Sequence, residues 1–427
     1  MSKEENRKNF SKYVSQNILG MIGFSCYVLA DSYFISIAKG ADGLTALNLV
    51  MPLYSIIFSI GEMIGVGSAI RYAISKIKKD ADADDYFWNA LIWCILSSML
   101  FVFAGIFFSA DIMRVLGADE HIVAVGNNYT KIFMCFAPMF MCNYVTNAFV
   151  RNDGAPGIAM SATLFSSLFN IVFDYILMFP MNLGMEGAAL ATALSPIIGM
   201  GICSIHFFSK KSSVRLVVCK PSVRKLVAGS QLGVSAFVGE MSSAVITLAF
   251  NFVILKLAGN VGVAAYGVVA NIAIVTTAVF NGVAQGSQPL ISSCFGRGDK
   301  DGCTQLKRMG YTTAFVLAAV MYSILFIFAG QFVAVFNSEG SEMLRLYATE
   351  GVKLYFIGIF FAGINIVGGG AFSATEDAFK AAVVSVARGF VLILGAVFVM
   401  SALFGMTGVW LAYAVAEGIT TFIMLVM

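Results

Sequence analysis

The sequence predicts an all-α polytopic membrane protein: twelve transmembrane helices in two six-helix bundles related by an internal pseudo-twofold repeat. Three observations predict it. Of the 427 residues, 59% are hydrophobic and only 12% are charged, about half the charged share of a soluble domain. The apolar residues fall into twelve runs, each near the roughly 20 residues that a helix needs to cross a bilayer. The second six runs echo the first.

Taken in order, the chain opens with MSKEENRKNFSKYV, which is charged and polar and lacks the apolar stretch of a signal peptide. The runs follow near 14–37, 44–70, 87–109, 125–150, 157–179, 187–208, 227–257, 262–290, 310–333, 346–372, 381–403 and 408–427. The breaks at 37–44 and 257–262 are too short for ordinary loops and are expected to be tight extracellular turns. Pro52, Pro138, Pro196 and Pro289 lie within or at the ends of runs, where proline kinks a helix. Most basic residues, Arg151 among them, fall on the side of the N-terminus. The opposite segments and span ends hold Lys39, Arg114, Lys131, Lys256, Arg345 and Lys353, and Arg388 is left inside a span. The positive-inside rule then puts both termini in the cytoplasm. The formal net charge of +3 reflects this bias and implies no nucleic-acid partner.

A shift of 219 residues lays Gly40, Gly43, Ala46, Gly67 and Asp80 on Gly259, Gly262, Ala265, Gly286 and Asp299. A shift of 221 lays Gly184-Met185-x-Gly187 on Gly405-Met406-x-Gly408, and Leu190-Ala191 on Leu411-Ala412. The division expected is an N-terminal lobe over 1–209, a basic cytoplasmic linker over 210–226 and a C-terminal lobe over 227–427. Parallel repeats about an axis along the membrane normal are a transporter architecture.

Polar chemistry inside the runs is sparse. Asn170 and Asp174 are four residues apart and share one helix face in NIVFDYILMFP. A carboxylate at the bilayer centre costs about 2.5–3.5 kcal/mol on insertion scales, so such groups face interior cavities and carry function. Asp31 is a second such carboxylate. Glu240, Glu417 and Arg388 read either as a buried ion pair or as part of a substrate path. Glu62 faces either a central cleft or an aqueous end. Gln285 and Gln288 flank Gly286 and could line a cleft. The eight cysteines form no C-x-x-C pair and the two histidines have no ligand partner at useful spacing, so no structural or catalytic metal site is expected. There is no G-x-x-x-x-G-K-[ST] phosphate loop and no catalytic cluster, which argues against an enzyme and against ATP-driven transport.

Four stretches together carry a resemblance over essentially the whole chain: AKGADGLTAL with its echo LAGNVGVAAYG, NAFVRNDGAP, NIVFD…GMEGAALATALSP, and GVAQGSQPLISSCFGRGD. In their order and spacing the sequence resembles the multidrug and toxic compound extrusion (MATE) transporters of the bacterial DinF-like branch. The resemblance implies a cation site in the first lobe, at the positions here of Asp31, Asn147, Asn170, Asp174 and Thr192. Their oxygens suit Na⁺ as a hard cation, or the carboxylates carry H⁺. The sequence departs from some relatives in having Gly20 and Gly23, and no proline, in its first helix. The repeat adds a separate argument. The second-half counterparts of those five residues are Phe250, Gly368, Val391, Gly395 and Tyr413, so the polar set is not copied as a purely architectural one would be.

The expected function is a secondary active antiporter of the multi-pass bacterial inner membrane. It would export organic, cationic amphipathic compounds in exchange for Na⁺ or H⁺, as a monomer and without a cofactor. The 38 Phe and 22 Met suit an adaptable cleft, though lipid-facing positions account for most of the Phe. The alternative is a lipid-linked saccharide flippase of the same superfamily, which would want a cleft rich in Arg and Lys.

Overall fold

The computed structural model describes residues 3–336 and 341–427, apart from the side chain of Ala41. Among the described residues every regular element is a helix. They form twelve spans: α1 (Lys3–Gly40) and α2 (Asp42–Lys78); α3 (Asp85–Val115); α4, made of Glu120–Cys135 and Ala137–Asn152 with a 46° bend between them; α5 (Pro156–Met178) and α6 (Gly184–Phe207). The second half supplies α7 (223–258) and α8 (260–296); α9, Lys300–Ile327 extended by Ala329–Phe336; and α10 (Glu342–Ala374). It ends with α11, which runs Ala378–Val386, through one π-helical turn Ala387–Val391, to residue 404, and with α12 (406–426).

The short breaks read from the sequence are single residues. Gly40 (φ 58°, ψ −142°) turns α1 into α2, and its repeat mate Gly259 (φ 61°, ψ −156°) turns α7 into α8. This region of backbone space is essentially closed to residues with a Cβ, so only glycine lets two membrane helices meet with no loop. Gly405 (φ 58°, ψ −136°) does the same between α11 and α12. The repeat therefore extends to backbone geometry.

Several helices run past their apolar stretches: α1 starts eleven residues before the predicted run, and α2 continues through the basic residues to Lys78. Hydropathy reports only the part of a helix that lies in lipid. Of the prolines, Pro138 sits at the bend of α4. Pro52, Pro196 and Pro289 lie inside helices whose backbone dihedrals stay helical around them.

Beside a small cluster of Val150, Ala159, Ala162 and Cys203, buried apolar side chains gather into two large cores. One runs from Ile35 to Val214 and takes in Leu232; the other runs from Phe250 to Ala416 and takes in Phe10 and Val14 from the start of α1. Leu100, Phe107, Phe165 and Leu403 are among the large apolar side chains left on the outer surface, as a lipid-facing belt requires.

The lobes touch through backbone. A Cβ on Gly67 of α2 would lie 2.1 Å from Gly229 O of α7, and one on Gly233 would lie 2.0 Å from Met63 O. The pseudo-equivalent contact puts Gly286 and Gly282 of α8 against Val14 and Ile18 of α1. At the same end the Arg71 guanidinium is bonded to the Glu376 carboxylate, which Lys78 Nζ also meets at 3.4 Å. The segment after α6 is strapped to the first lobe: Ser222 N donates to Asn89 Oδ1 at 2.6 Å, and Trp93 Nε1 to Ser222 O at 3.3 Å. Asp153 pins its start, accepting from Ser213 N at 2.9 Å and meeting His206 Nε2 at 2.8 Å.

Candidate cation and substrate site

Four of the five residues proposed for the cation site converge. Asn170 and Asp174, one turn apart on α5, are fully buried, and Thr192 of α6 and Asp31 of α1 are nearly so. With its amide nitrogen toward Asp174, Asn170 donates to Asp174 Oδ2 at 3.1 Å. Its oxygen then accepts from the Thr192 backbone N at 3.3 Å and from the Thr192 hydroxyl at 3.1 Å. Oδ1 of Asp31 and Oδ1 of Asp174 are buried with no hydrogen-bond partner among the described residues. Neither carboxylate has a basic partner there, and each feels the other's charge. An unpaired buried carboxylate is costly, and two in mutual repulsion more so. The arrangement lacks a positive charge. Two carboxylate oxygens and the Thr192 hydroxyl oxygen are a donor set for a proton or a small hard cation, with Asn170 tying Asp174 to Thr192.

The fifth residue, Asn147 of α4, is placed elsewhere. Its Nδ2 donates to Ala159 O at 3.1 Å and to Thr163 Oγ1 at 3.2 Å, tying α4 to α5, and it makes no hydrogen bond to Asp31 or Asp174.

Beside the carboxylates lies a cavity of about 320 Å³ between the lobes, lined by Tyr27, Asp31, Tyr54, Thr192, Glu240, Tyr266, Tyr355, Arg388 and Tyr413 among others. It lies beyond the glycine contacts, toward Gly40 and Gly259. Asp31 and Thr192 thus belong both to the polar cluster and to the cavity wall. Two smaller chambers, of about 110 and 70 Å³, adjoin it, and Glu240 lines all three.

The other intramembrane charges are sorted by the structure. Arg388 pairs with Glu417, not with Glu240: Nη2 lies 2.7 Å from Oε1, and Nε lies 3.1 and 3.2 Å from the two oxygens. Asn365 Nδ2 adds a bond to Glu417 Oε2 at 2.7 Å. Glu240 forms no hydrogen bond or ion pair among the described residues and faces the cavities. Glu62 is buried in the smaller chambers, not at an aqueous end, and accepts from Gln285 Nε2 at 3.2 Å. Gln288 lines one chamber with its Oε1 unpartnered.

Arg151 corrects the sequence reading, which left it with the cytoplasmic basic residues. It is only 4% exposed, lines the chamber of Glu62, and donates to Gln285 Oε1 at 2.6 Å and Asn17 Oδ1 at 3.4 Å. Arg388 is therefore not alone as an arginine inside the molecule. A signal was present: Asn143, Asn147 and Arg151 recur every four residues, and all three line the same chamber. Tyr27, which borders two of the cavities, left no such mark among so many aromatic residues.

The family model for MatE matches residues 17–176 and 236–399. The multidrug export protein MepA of Staphylococcus aureus (strain MRSA252) is 27% identical over 414 residues, covering 94% of this chain and 89% of its own. Two solved structures share the fold at 20% identity, covering 99% of this chain and 94% of theirs. One, with a TM-score of 0.92, is described as the outward-facing conformation of a multidrug resistance MATE family transporter. The other, at 0.91, is a transporter of the MOP superfamily from Pyrococcus furiosus described as having a binding pocket of reverse polarity.

Proposed function

The chain belongs to the MatE family, and we propose that it is a secondary active antiporter that exports organic cations through the interlobe cavity in exchange for Na⁺ or H⁺. The observation that carries this reading is the pair of buried carboxylates, Asp31 and Asp174, with no basic partner among the described residues, at the edge of that cavity. The name of the MepA relative, a multidrug export protein, supports drug-like substrates.

Exchange requires that the ion and the substrate disfavour each other's binding. Asp31 offers the means, because it faces both the polar cluster and the cavity. A proton or Na⁺ held by Asp31 and Asp174 removes negative charge from the cavity wall and weakens the hold on a cationic drug. Loss of that ion restores the charge. Asn170 positions Asp174, and Thr192 offers a hydroxyl oxygen to a metal ion. Glu240 leaves a further carboxylate in the cavity. The cytoplasmic placement of both termini, proposed from the basic residues, would make the cavity face outward.

The flippase alternative would draw on the two arginines inside the molecule, Arg151 and Arg388. Yet Arg388 is held by Glu417, and Arg151 is engaged by Gln285, whereas Asp31, Asp174 and Glu240 have no cationic partner among the described residues. The balance of unpaired charge in the cavity is negative. The deciding test is ethidium efflux from proteoliposomes under separately imposed Na⁺ and H⁺ gradients. Efflux driven by one of them is the expected result, and no efflux under either gradient would overturn the reading.

A further inference from the structure

A groove of about 880 Å³ runs along the outer side of the molecule between α1 and α9, away from the interlobe cavity. Its walls come from different halves of the repeat. One end is basic: Lys3 and Arg7 of α1 and Arg308 of α9 line it, against a single carboxylate, Asp301. None of these three cations forms a salt bridge among the described residues, and all are exposed. The other end is apolar, with Ile18 and Leu317 on its walls. The walls are fixed to each other at the basic end: Asn6 Nδ2 donates to Gln305 Oε1 at 3.2 Å, and Gln305 Nε2 to Lys3 O at 2.9 Å.

Three features restrict the occupant. From Lys3 to Ile18 the groove follows fifteen helical residues, about 22 Å at about 1.5 Å per residue. The apolar run of α1 begins near residue 14, so the Ile18 end lies in the hydrocarbon layer and the Lys3 end on its headgroup side. The surface around the apolar end is Leu19, Phe315 and Val316, each more than half exposed, so that end opens to acyl chains and not to water. The basic end carries three cations to one anion, at the depth where a span meets the headgroups.

We propose that this groove binds one anionic phospholipid. Its phosphate lies among Lys3, Arg7 and Arg308, and one acyl chain lies along the wall toward Ile18 and Leu317. Basic pockets between transmembrane helices are a recognised form of lipid headgroup site. A neutral-headgroup lipid would leave the three cations uncompensated. A free phosphate would gain nothing from the apolar half. A lipid that touches α1 and α9 at once favours the lobe arrangement in which both walls are present.

The test is native mass spectrometry of the intact protein with phosphatidylglycerol or phosphatidylcholine, repeated with millimolar inorganic phosphate as competitor. The wild type should retain phosphatidylglycerol in preference, and phosphate should not displace it. Each cation near the surface contributes roughly fivefold. The Lys3→Gln, Arg7→Gln, Arg308→Gln triple variant should therefore lose at least about tenfold of the preference. A second variant, Ser15→Trp, fills the groove and leaves the cations in place; it should reduce binding of both lipids. Equal retention of the two lipids by the wild type, an unchanged preference in the triple variant, or displacement by phosphate would each overturn the proposal. Should the triple variant fail to fold, unchanged phosphatidylglycerol binding by Ser15→Trp would do so alone.

Discussion

The guanidinium of Arg388, in the π-helical turn of α11, is clasped by the carboxylate of Glu417 on α12 with Nη2 2.7 Å from Oε1. Glu417 is 2% exposed, so its charge cannot fall back on water. Removing one partner of such a pair costs about 3–5 kcal/mol, because the survivor is left uncompensated. Arg388→Gln should lower the yield of folded protein and its thermal stability in detergent. A second change, Glu417→Gln, should recover much of the loss. If Glu240→Gln rescues instead, the pairing is different in the membrane.

The carboxylate pair is the proposed coupling site. Asp174→Asn keeps the size of the side chain and one acceptor but removes the charge that an ion must meet. It should leave folding and much of drug binding intact and abolish gradient-driven ethidium efflux, and Asp31→Asn should do likewise. Gly395→Ala, at the second-lobe counterpart of Asp174 and with open space where the Cβ would go, should change coupling little. Wild-type efflux by Asp174→Asn under every gradient would move the engine elsewhere, with Glu240 the next candidate.

Cys219 lies in the segment that joins the lobes and reports its sidedness. Partial burial pushes its thiol above its ordinary range, and Asn89 Nδ2 lies 3.1 Å from its sulfur. The thiolate is the reactive form. A raised pKa shrinks the thiolate fraction at neutral pH, so maleimide labelling should be slow at pH 7 and accelerate roughly tenfold per pH unit until the thiol's own pKa is reached. An impermeant maleimide should reach Cys219 from the cytoplasm only, and a cysteine replacing Lys39 from outside only. Labelling of both from one side would overturn the topology.

Gly233→Ala tests the lobe contact. The added Cβ would sit 2.0 Å from Met63 O, a clash with backbone that no rotamer relieves. Overpacking of this kind costs about 1–3 kcal/mol. The variant should populate a state with α2 and α7 apart, read as a longer spin-label distance between positions on those helices. An unchanged distance distribution would count against this contact as the closed seam of the molecule.

Sequence alone revealed the architecture because its signals are local. Twelve apolar runs and the matched glycines at 40 and 259, or 184 and 405, need no tertiary knowledge. Asn170 and Asp174 were legible for the same reason: a four-residue spacing fixes a shared face. What sequence could not supply was helix rotation about its axis. That is why Glu240 and Glu417 stood as equal partners for Arg388, and why Asn147, placed by resemblance, bonds across to α5. Arg151 was misread because positive-inside counting treats every basic residue near a span end as solvated. Its long side chain instead turns back into the protein.

The seam between α2 and α7 has a consequence for the rate of the transport cycle. Gly67, Gly229 and Gly233 bring main chain against main chain, and glycine has no side-chain rotamers to freeze. Apart from Ser68, whose hydroxyl lies against Gly229, the glycine faces free no side chain on parting and order none on joining. It can therefore be remade identically at each turnover with little entropic penalty of its own. The ion pair between Arg71 and Glu376 and the bonds of Arg151 and Glu62 to Gln285, by contrast, must be broken and remade with ordered side chains.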